Sequence, residues 1–236
     1  MAINKNSNLY TIVYTVVMVA ITGALLAALA TSLKDKQDAN VLAEQKSSIM
    51  KAFGDANGNF EDVTVYRLKQ VVNEDKTVTF ERVAVESDAD IKDVFKLLSN
   101  RKQLTDIKDN LPYFEYVKDN NTMYVIPIVG KGLWGDIWGY VAVEKADAWQ
   151  VAGIVMDHAG ETPGLGAEIA TEGVQKSFEG KLLFEGKQFA LRMQKGGAKA
   201  DKIDYQVDAI TGGTKTCDGV NKMLETSLMK YKSLFN

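Results

Sequence analysis

The chain has 236 residues, 46 % of them hydrophobic and 25 % charged, with a net charge of −3 and a pI near 5.4. That balance fits an ordinary folded protein and gives no electrostatic case for nucleic acid. One cysteine, Cys217, and one histidine, His158, exclude an intrachain disulfide, a cysteine-caged zinc or iron–sulfur site and any multi-histidine metal site.

The first element is a membrane segment. From Asn6 to Leu33 there is no charged residue, and LYTIVYTVVMVAITGALLAALATSL (Leu9–Leu33) runs for 25 residues. At about 1.5 Å of rise per residue this makes roughly 37 Å of helix, enough to cross a hydrocarbon core about 30 Å thick. The alternative is a cleaved signal peptide, whose apolar stretch is usually only about 7–15 residues; the run does end in small residues. Charge leaves the orientation close to a tie. Lys5 and the amino terminus stand on one side, and Lys34 and Lys36, interleaved with Asp35 and Asp38, on the other. Residues 1–34 are therefore assigned to the membrane segment and 35–236 to a single soluble domain.

Beyond the membrane, Val41, Leu42, Gln45, Ile49 and Phe53 recur at helical spacing, and Gly54 makes a natural stop. EDVTVYRLKQVV and KTVTFERVAVE alternate apolar and polar residues around the turn NEDK, which predicts a β-hairpin. IKDVFKLLSNRKQLTDIKDNL predicts one or two short helices, and Pro112 precedes a second β-rich block. Three strands are expected there, at Met123–Val129, Ile137–Glu144 and Val151–Asp157, joined by short connections as an antiparallel meander. GAEIATEGVQKSF reads as helix with Ile169, Val174 and Phe178 inward. KQFALRMQ and KIDYQVDAI read as two more strands. A last helix follows, with Val220, Leu224, Leu228, Tyr231 and Phe235 at intervals of three or four. The fold class is α+β: one transmembrane helix, then one domain with an antiparallel sheet and flanking helices.

The stretch DAITGGTKTCDGV (Asp208–Val220) crowds three threonines and three glycines at the start of that last helix. Orphan N–H groups and the helix dipole attract anions there. Gly212 and Gly213 remove Cβ atoms that would keep a phosphate away, and Thr211, Thr214 and Thr216 add hydroxyls. A simple N-cap accounts for the same residues, and both readings stand on local physics.

The order TGGTKT resembles the flavinylation motif of FMN-binding domains, Ser-Gly-Ala-Thr-x-Thr, whose last threonine carries FMN through a phosphoester. Thr211 stands for the usual serine and Gly213 for the usual alanine. ETPGLGAEI (Glu161–Ile169) resembles the Glu-Thr-Pro-Gly-Leu-Gly signature of the C subunits of Na+-translocating NADH:quinone reductases (Nqr) and of the related Rnf G subunits. YVIPIVGKGLWGDIWGYVAVE (Tyr124–Glu144) resembles the Nqr C subunits in its Gly-Lys-Gly-Leu-Trp opening. The resemblance extends along the whole chain and is weakest over roughly residues 55–110.

This resemblance implies a membrane-anchored electron carrier, one of six subunits that pass electrons from NADH to quinone and export sodium. It implies covalent FMN on Thr216, attached by a separate Mg-dependent flavin transferase that uses FAD, so that Thr216 needs exposure more than a neighbouring base. Thr211, Gly212, Gly213 and Thr214 would line the phosphate and ribityl chain. Glu161, Thr162, Gly164 and Leu165 would meet the ring or its polar edge. Leu133 and Trp134 would shield one face, unless Trp134 is a buried core residue. The expected partners are the other Nqr subunits, the flavin transferase and membrane lipid, with the domain on the periplasmic side of a bacterial inner membrane. No catalytic residue, metal site or substrate pocket is expected of this chain. His158 is left outside the site, and Cys217 is read as a small residue, with a lowered thiol pKa as the alternative. Two rival readings remain: an Rnf-type G subunit, and a tethered ligand-binding module without redox chemistry.

Overall fold

The computed structural model describes residues 7–235 apart from positions 74, 76 and 119. The amino terminus and Lys5, weighed above for orientation, and Glu74 and Lys76 of the hairpin turn lie outside the described residues. The first helix, α1, spans Asn8–Ala52. The chain divides within it into two compact units, one through Glu44 and one from Gln45 onward.

The first unit presents its apolar side chains outward: Ile12, Val16, Val19, Ile21 and Leu26 are each about 60 % exposed. Its hydroxyls are satisfied within the helix. Thr15, Thr22 and Thr31 each donate to the carbonyl four residues earlier, at 2.8–2.9 Å. Such internal pairing is what hydrocarbon surroundings require of a polar side chain. Among the described residues, α1 is the helix long and apolar enough to cross a membrane, with a mean hydropathy of 2.4 over its most apolar window.

In the second unit α1 ends on a left-handed glycine, Gly54 at φ 74°. The Asp55 N–H closes back on the Met50 carbonyl at 3.0 Å, a Schellman-type stop. The predicted hairpin forms as β1 (Thr64–Val72) and β2 (Val78–Ala84). The stretch after it forms two helices, α2 (Asp88–Ser99), capped by the Ser87 hydroxyl, and α3 (Arg101–Asp106). A further strand, β3 (Leu111–Lys118), precedes the meander, which forms as β4 (Asn121–Lys131), β5 (Asp136–Lys145) and β6 (Trp149–His158).

Strand β3 is the one the sequence pattern does not announce. It takes in Pro112 and lies between β1 and β4. Leu111, Pro112, Tyr113 and Phe114 are consecutively buried, and a proline at the strand's second position argues against a central strand when only the sequence is read. The sheet is antiparallel throughout, in the order β2-β1-β3-β4-β5-β6.

The helix predicted after Gly166 is broken. Residues Gly166–Ala170 form a 3-10 turn and α4 covers Glu172–Lys176, because Thr171 between them is extended (φ −80°, ψ 146°). Ile169 and Phe178 are nonetheless fully buried. The expected strand KQFALRMQ also divides. After β7 (Phe184–Glu185) come β8 (Gln188–Phe189), which pairs with β7, and β9 (Arg192–Gln194). The latter pairs in parallel with β10 (Gln206–Asp208) as a separate two-stranded sheet.

The last helix, α5 (Thr214–Leu228), lies against β4 and buries Val220, Met223, Leu224 and Leu228 at 1 % exposure or less. Two glycines set the closeness of this contact. A Cβ on Gly130 would lie 2.7 Å from the Met223 Cβ, and one on Gly219 would lie 2.3 Å from the Lys131 carbonyl oxygen. Farther along the helix, the Ser227 hydroxyl accepts from the Val129 N–H at 3.2 Å.

Candidate functional site

The α5–β4 contact brings the start of α5, the β4–β5 turn and the segment after β6 to one end of the sheet. The α5 N-cap is Gly213, with no side chain to bond the first turn, so Thr214, Lys215 and Thr216 begin a helix without a side-chain cap. Ahead of it Gly212 turns left-handed at φ 76°, and a Cβ there would lie 2.6 Å from Leu165 Cδ2. The TGGTKT loop thus rests directly on the ETPGLG turn. Of the loop residues, Thr211 and Gly212 are exposed, Thr214 is half-buried, and Gly213 and Thr216 are buried.

Thr216 is buried, at 1 % exposure, where the resemblance implies that exposure matters more than a neighbouring base. Its Oγ1 donates to the Glu161 Oε2 at 2.6 Å, a short charge-assisted hydrogen bond across 55 positions of sequence. Glu161 is itself 4 % exposed. Its other oxygen, Oε1, accepts from the Trp134 N–H at 2.8 Å. Burial pushes the Glu161 carboxyl up. The Thr216 hydroxyl and the N–H groups of Trp134, Gly135 and Leu133 overcome that and hold it below its ordinary value. The buried carboxylate is therefore ionised and occupies a nest of backbone amides at the β4–β5 turn.

Two glycines make room for this pair. A Cβ on Gly132 would lie 2.4 Å from Glu161 Oε1. One on Gly166 would lie 2.3 Å from Thr216 Oγ1 and 2.5 Å from Glu161 Oε2. The backbone of Glu161 is also held, since its N–H donates to His158 Nδ1 at 3.1 Å. Sequence alone leaves His158 outside the site; its position three residues before Glu161 is the one signal that could have brought it in.

The remaining residues divide by exposure. Thr162, Gly164 and Leu165 are on the surface, with Leu165 at 41 %. Gly164 is left-handed (φ 73°), and its N–H donates to Glu168 Oε1 at 3.1 Å. Leu133 and Trp134 are 53 % and 70 % exposed, so the alternative of a buried core tryptophan is excluded. Cys217 is buried and accepts from the Ile210 N–H at 3.4 Å; burial pushes its thiol up rather than down. It packs as a small residue. Asp208, at the end of β10, accepts from the Ala198 N–H at 2.7 Å. Among the described residues no cluster of His, Cys, Asp and Glu is suited to a metal ion.

The FMN-binding domain family model matches residues 132–229, the stretch that holds all of these groups. Over nearly full length the chain is similar to the C subunits of Na(+)-translocating NADH-quinone reductases. It is 31 % identical to that of Vibrio alginolyticus, covering 93 % of this chain and 90 % of the relative. It is 33 % identical to that of Haemophilus ducreyi, covering 92 % and 88 %. Two crystal structures share the fold. The C subunit from Parabacteroides distasonis has a TM-score of 0.59 at 28 % identity, covering 86 % of this chain and 95 % of that one. NqrC from Shewanella oneidensis has a TM-score of 0.60 at 29 % identity, covering 82 % and 97 %.

Proposed function

We propose, from the premise that this chain belongs to the family of Na(+)-translocating NADH-quinone reductase C subunits, that it carries FMN covalently through a phosphoester on Thr216. The coarser statement stands without the ester: the chain is a membrane-anchored, FMN-binding electron-transfer subunit of that oxidoreductase. The finer reading adds the point of attachment. It also adds the direction of electrons, from NADH toward quinone, and the periplasmic side of the membrane for the domain. Assembly with the other Nqr subunits follows from family membership; maturation by a flavin transferase using FAD belongs to the proposal.

The observation that carries the reading is the uncapped start of α5 with Thr216 in its first turn. A phosphate there meets orphan N–H groups and the positive end of the helix dipole. Gly212 and Gly213 leave bare backbone in front of it, and Thr211 and Thr214 supply hydroxyls at its edge. Leu165, Leu133 and Trp134 offer exposed apolar surface beside the same helix start, suited to a flat ring system. Thr162 and Gly164 would lie at the ring's polar edge.

When bound, FMN supplies the redox chemistry, accepting and releasing electrons one or two at a time. The chain's part is to hold and orient it. An ester keeps the cofactor from leaving as its charge changes, and attachment at the phosphate end leaves the ring free. Before attachment, Glu161 in its amide nest holds the free Thr216 hydroxyl in place.

The test is maturation of the full chain with a flavin transferase and FAD, followed by ultraviolet fluorescence of the denatured protein and intact mass. Wild type and Thr214→Ala should gain the mass of FMN, and Thr216→Ala should not. Flavin set free by denaturation would sink the ester.

A further inference from the structure

We infer that Glu161 is the acceptor-side base for its own chain's flavinylation: it orients the Thr216 hydroxyl and takes its proton as the phosphoester forms. This rests on the covalent reading above and adds a chemical role to a residue which that reading assigns only to binding. Proximity to Thr216 is direct, with Oγ1 to Oε2 at 2.6 Å and both groups buried. The carboxylate accepts from the very hydroxyl that must lose a proton, and that geometry is the first requirement of a general base.

The reaction balances without a further reagent. Thr216 Oγ1 attacks the FMN-side phosphorus of a flavin adenine dinucleotide, the pyrophosphate P–O bond breaks, and AMP leaves. The threonine proton passes to Glu161 Oε2. Phosphoryl transfer asks little basicity of its base, because the hydroxyl becomes acidic only as its bond to phosphorus forms; kinases use an aspartate in the same way. Glu161 gains basicity over the same interval. The Thr216 hydrogen bond that favours its charged form is lost, and negative charge arrives beside it.

Access is compatible with this role. Thr216 Oγ1 is covered by Gly166 and Glu161. These two neighbours are held differently. Glu161 is fixed at both ends, by His158 on its backbone and by Trp134 on its carboxylate. Residues 162–165 are on the surface and Gly166 is buried, so the role requires the turn to shift during the transfer while the carboxylate stays. The titratable groups at the near ends of the elements round the pair include Asp157 and His158 on β6, Glu168 with its bond from Gly164, Lys215, Cys217 and Asp218 on α5, and the Lys131–Asp136 ion pair at the β4–β5 turn.

The experiment follows flavinylation of the full-length chain in detergent, with purified flavin transferase, FAD and Mg2+, by intact mass and covalent flavin fluorescence over time. Glu161→Gln keeps the side chain's shape and removes the base, and should slow the reaction by about a hundredfold or more. Glu161→Asp should recover part of the rate. The ratio of wild-type to Glu161→Gln rates should narrow as the pH is lowered and the wild-type carboxylate protonates. A Glu161→Gln chain flavinylated within about threefold of wild type, or faster, would overturn the base and leave the contact a mere latch. If Glu161→Gln does not fold, the wild-type chain decides: a flavinylation rate that does not fall as acid protonates the Glu161 carboxylate overturns the base equally. A wild-type chain that gains no flavin overturns the covalent reading and the base together, whereas wild type labelled at Thr216 with an unaffected Glu161→Gln overturns the base alone.

Discussion

Gly166 stands so close to Thr216 that a Cβ on the glycine would lie 2.3 Å from the threonine Oγ1, and 2.5 Å from the Glu161 oxygen that Oγ1 bonds. No staggered side chain fits in that gap. Gly166→Ala should therefore push the ETPGLG turn away from α5 and part the Glu161–Thr216 pair. Overpacking of this kind costs about 1–3 kcal/mol. A drop of several degrees in Tm, together with loss of covalent flavin incorporation, is the expected outcome. Unchanged stability with normal incorporation would mean that the turn has slack the packing does not suggest.

Gly219 sets two effects of opposite sign against each other. It lies inside α5, where alanine is favoured over glycine by about 1 kcal/mol. A Cβ there would lie 2.3 Å from the Lys131 carbonyl oxygen and 3.2 Å from the Gly132 Cα, both backbone atoms that cannot rotate aside. The clash should win. Gly219→Ala is expected to lower Tm despite its helix propensity, and to displace the start of α5 from the β4–β5 turn. Thermal unfolding checks the sign, and a raised Tm would refute the packing argument.

Acid should weaken the site in a way that one variant isolates. The folded-state value of Glu161 is depressed: burial raises it, and the Thr216 hydroxyl and the 133–135 amides lower it by more. A depressed carboxylate contributes stability that is present above its unfolded value of about 4.3, and that is lost as pH falls through the folded value. Asp55, held down by bonds from Lys118 and Tyr116, and Glu172, held down by Lys176, add to the same acid slope. Wild-type Tm should fall on acidification, and Glu161→Gln should fall less steeply. Parallel curves would show that Glu161 titrates alike in the folded and unfolded chains.

Alkali acts through Tyr231. It is buried at 2 % exposure, its hydroxyl donates to the Pro112 carbonyl at 2.7 Å, and burial pushes its pKa far up. A raised folded value gives stability that is full below the unfolded value of about 10 and is lost as pH rises toward the folded one. Tyr231→Phe should cost about 1 kcal/mol at neutral pH through the lost hydrogen bond. It should also flatten the alkaline limb of a Tm-against-pH curve. Tyr113, pushed up to about 12 chiefly by burial, keeps some of that limb in place.

What can be read from the sequence divides along physical lines. The β1–β2 hairpin announces itself by alternation round a polar turn, β4 to β6 as apolar runs bounded by turn residues, and α5 by core residues at a regular spacing. Strand β3 does not, since Pro112 at its second position argues against a strand between two neighbours. Thr171 breaks a helix that apolar spacing joins, because an extended residue between two short turns leaves that spacing intact. In the site, the motif residues are legible as two separate strings. That the TGGTKT and ETPGLG strings meet through Thr216 and Glu161 depends on α5 lying across β4, a contact set by Gly130 and Gly219. Glycines that permit a close approach look like any other glycine until the partner element is known.

Trp134 separates binding from folding. At 70 % exposure its indole contributes little to the core, whereas its backbone N–H holds Glu161 and survives any side-chain change. Trp134→Ala should therefore change stability by no more than about 0.5 kcal/mol and leave covalent incorporation intact. On the proposed placement of the ring beside Leu133 and Trp134, the indole is close enough to quench excited flavin by electron transfer. Emission from the folded, flavin-loaded chain should then rise in Trp134→Ala and stay low in Trp134→Tyr, whose phenol is also a donor. Equal emission from all three chains, measured at equal flavin content, would place the ring away from Trp134.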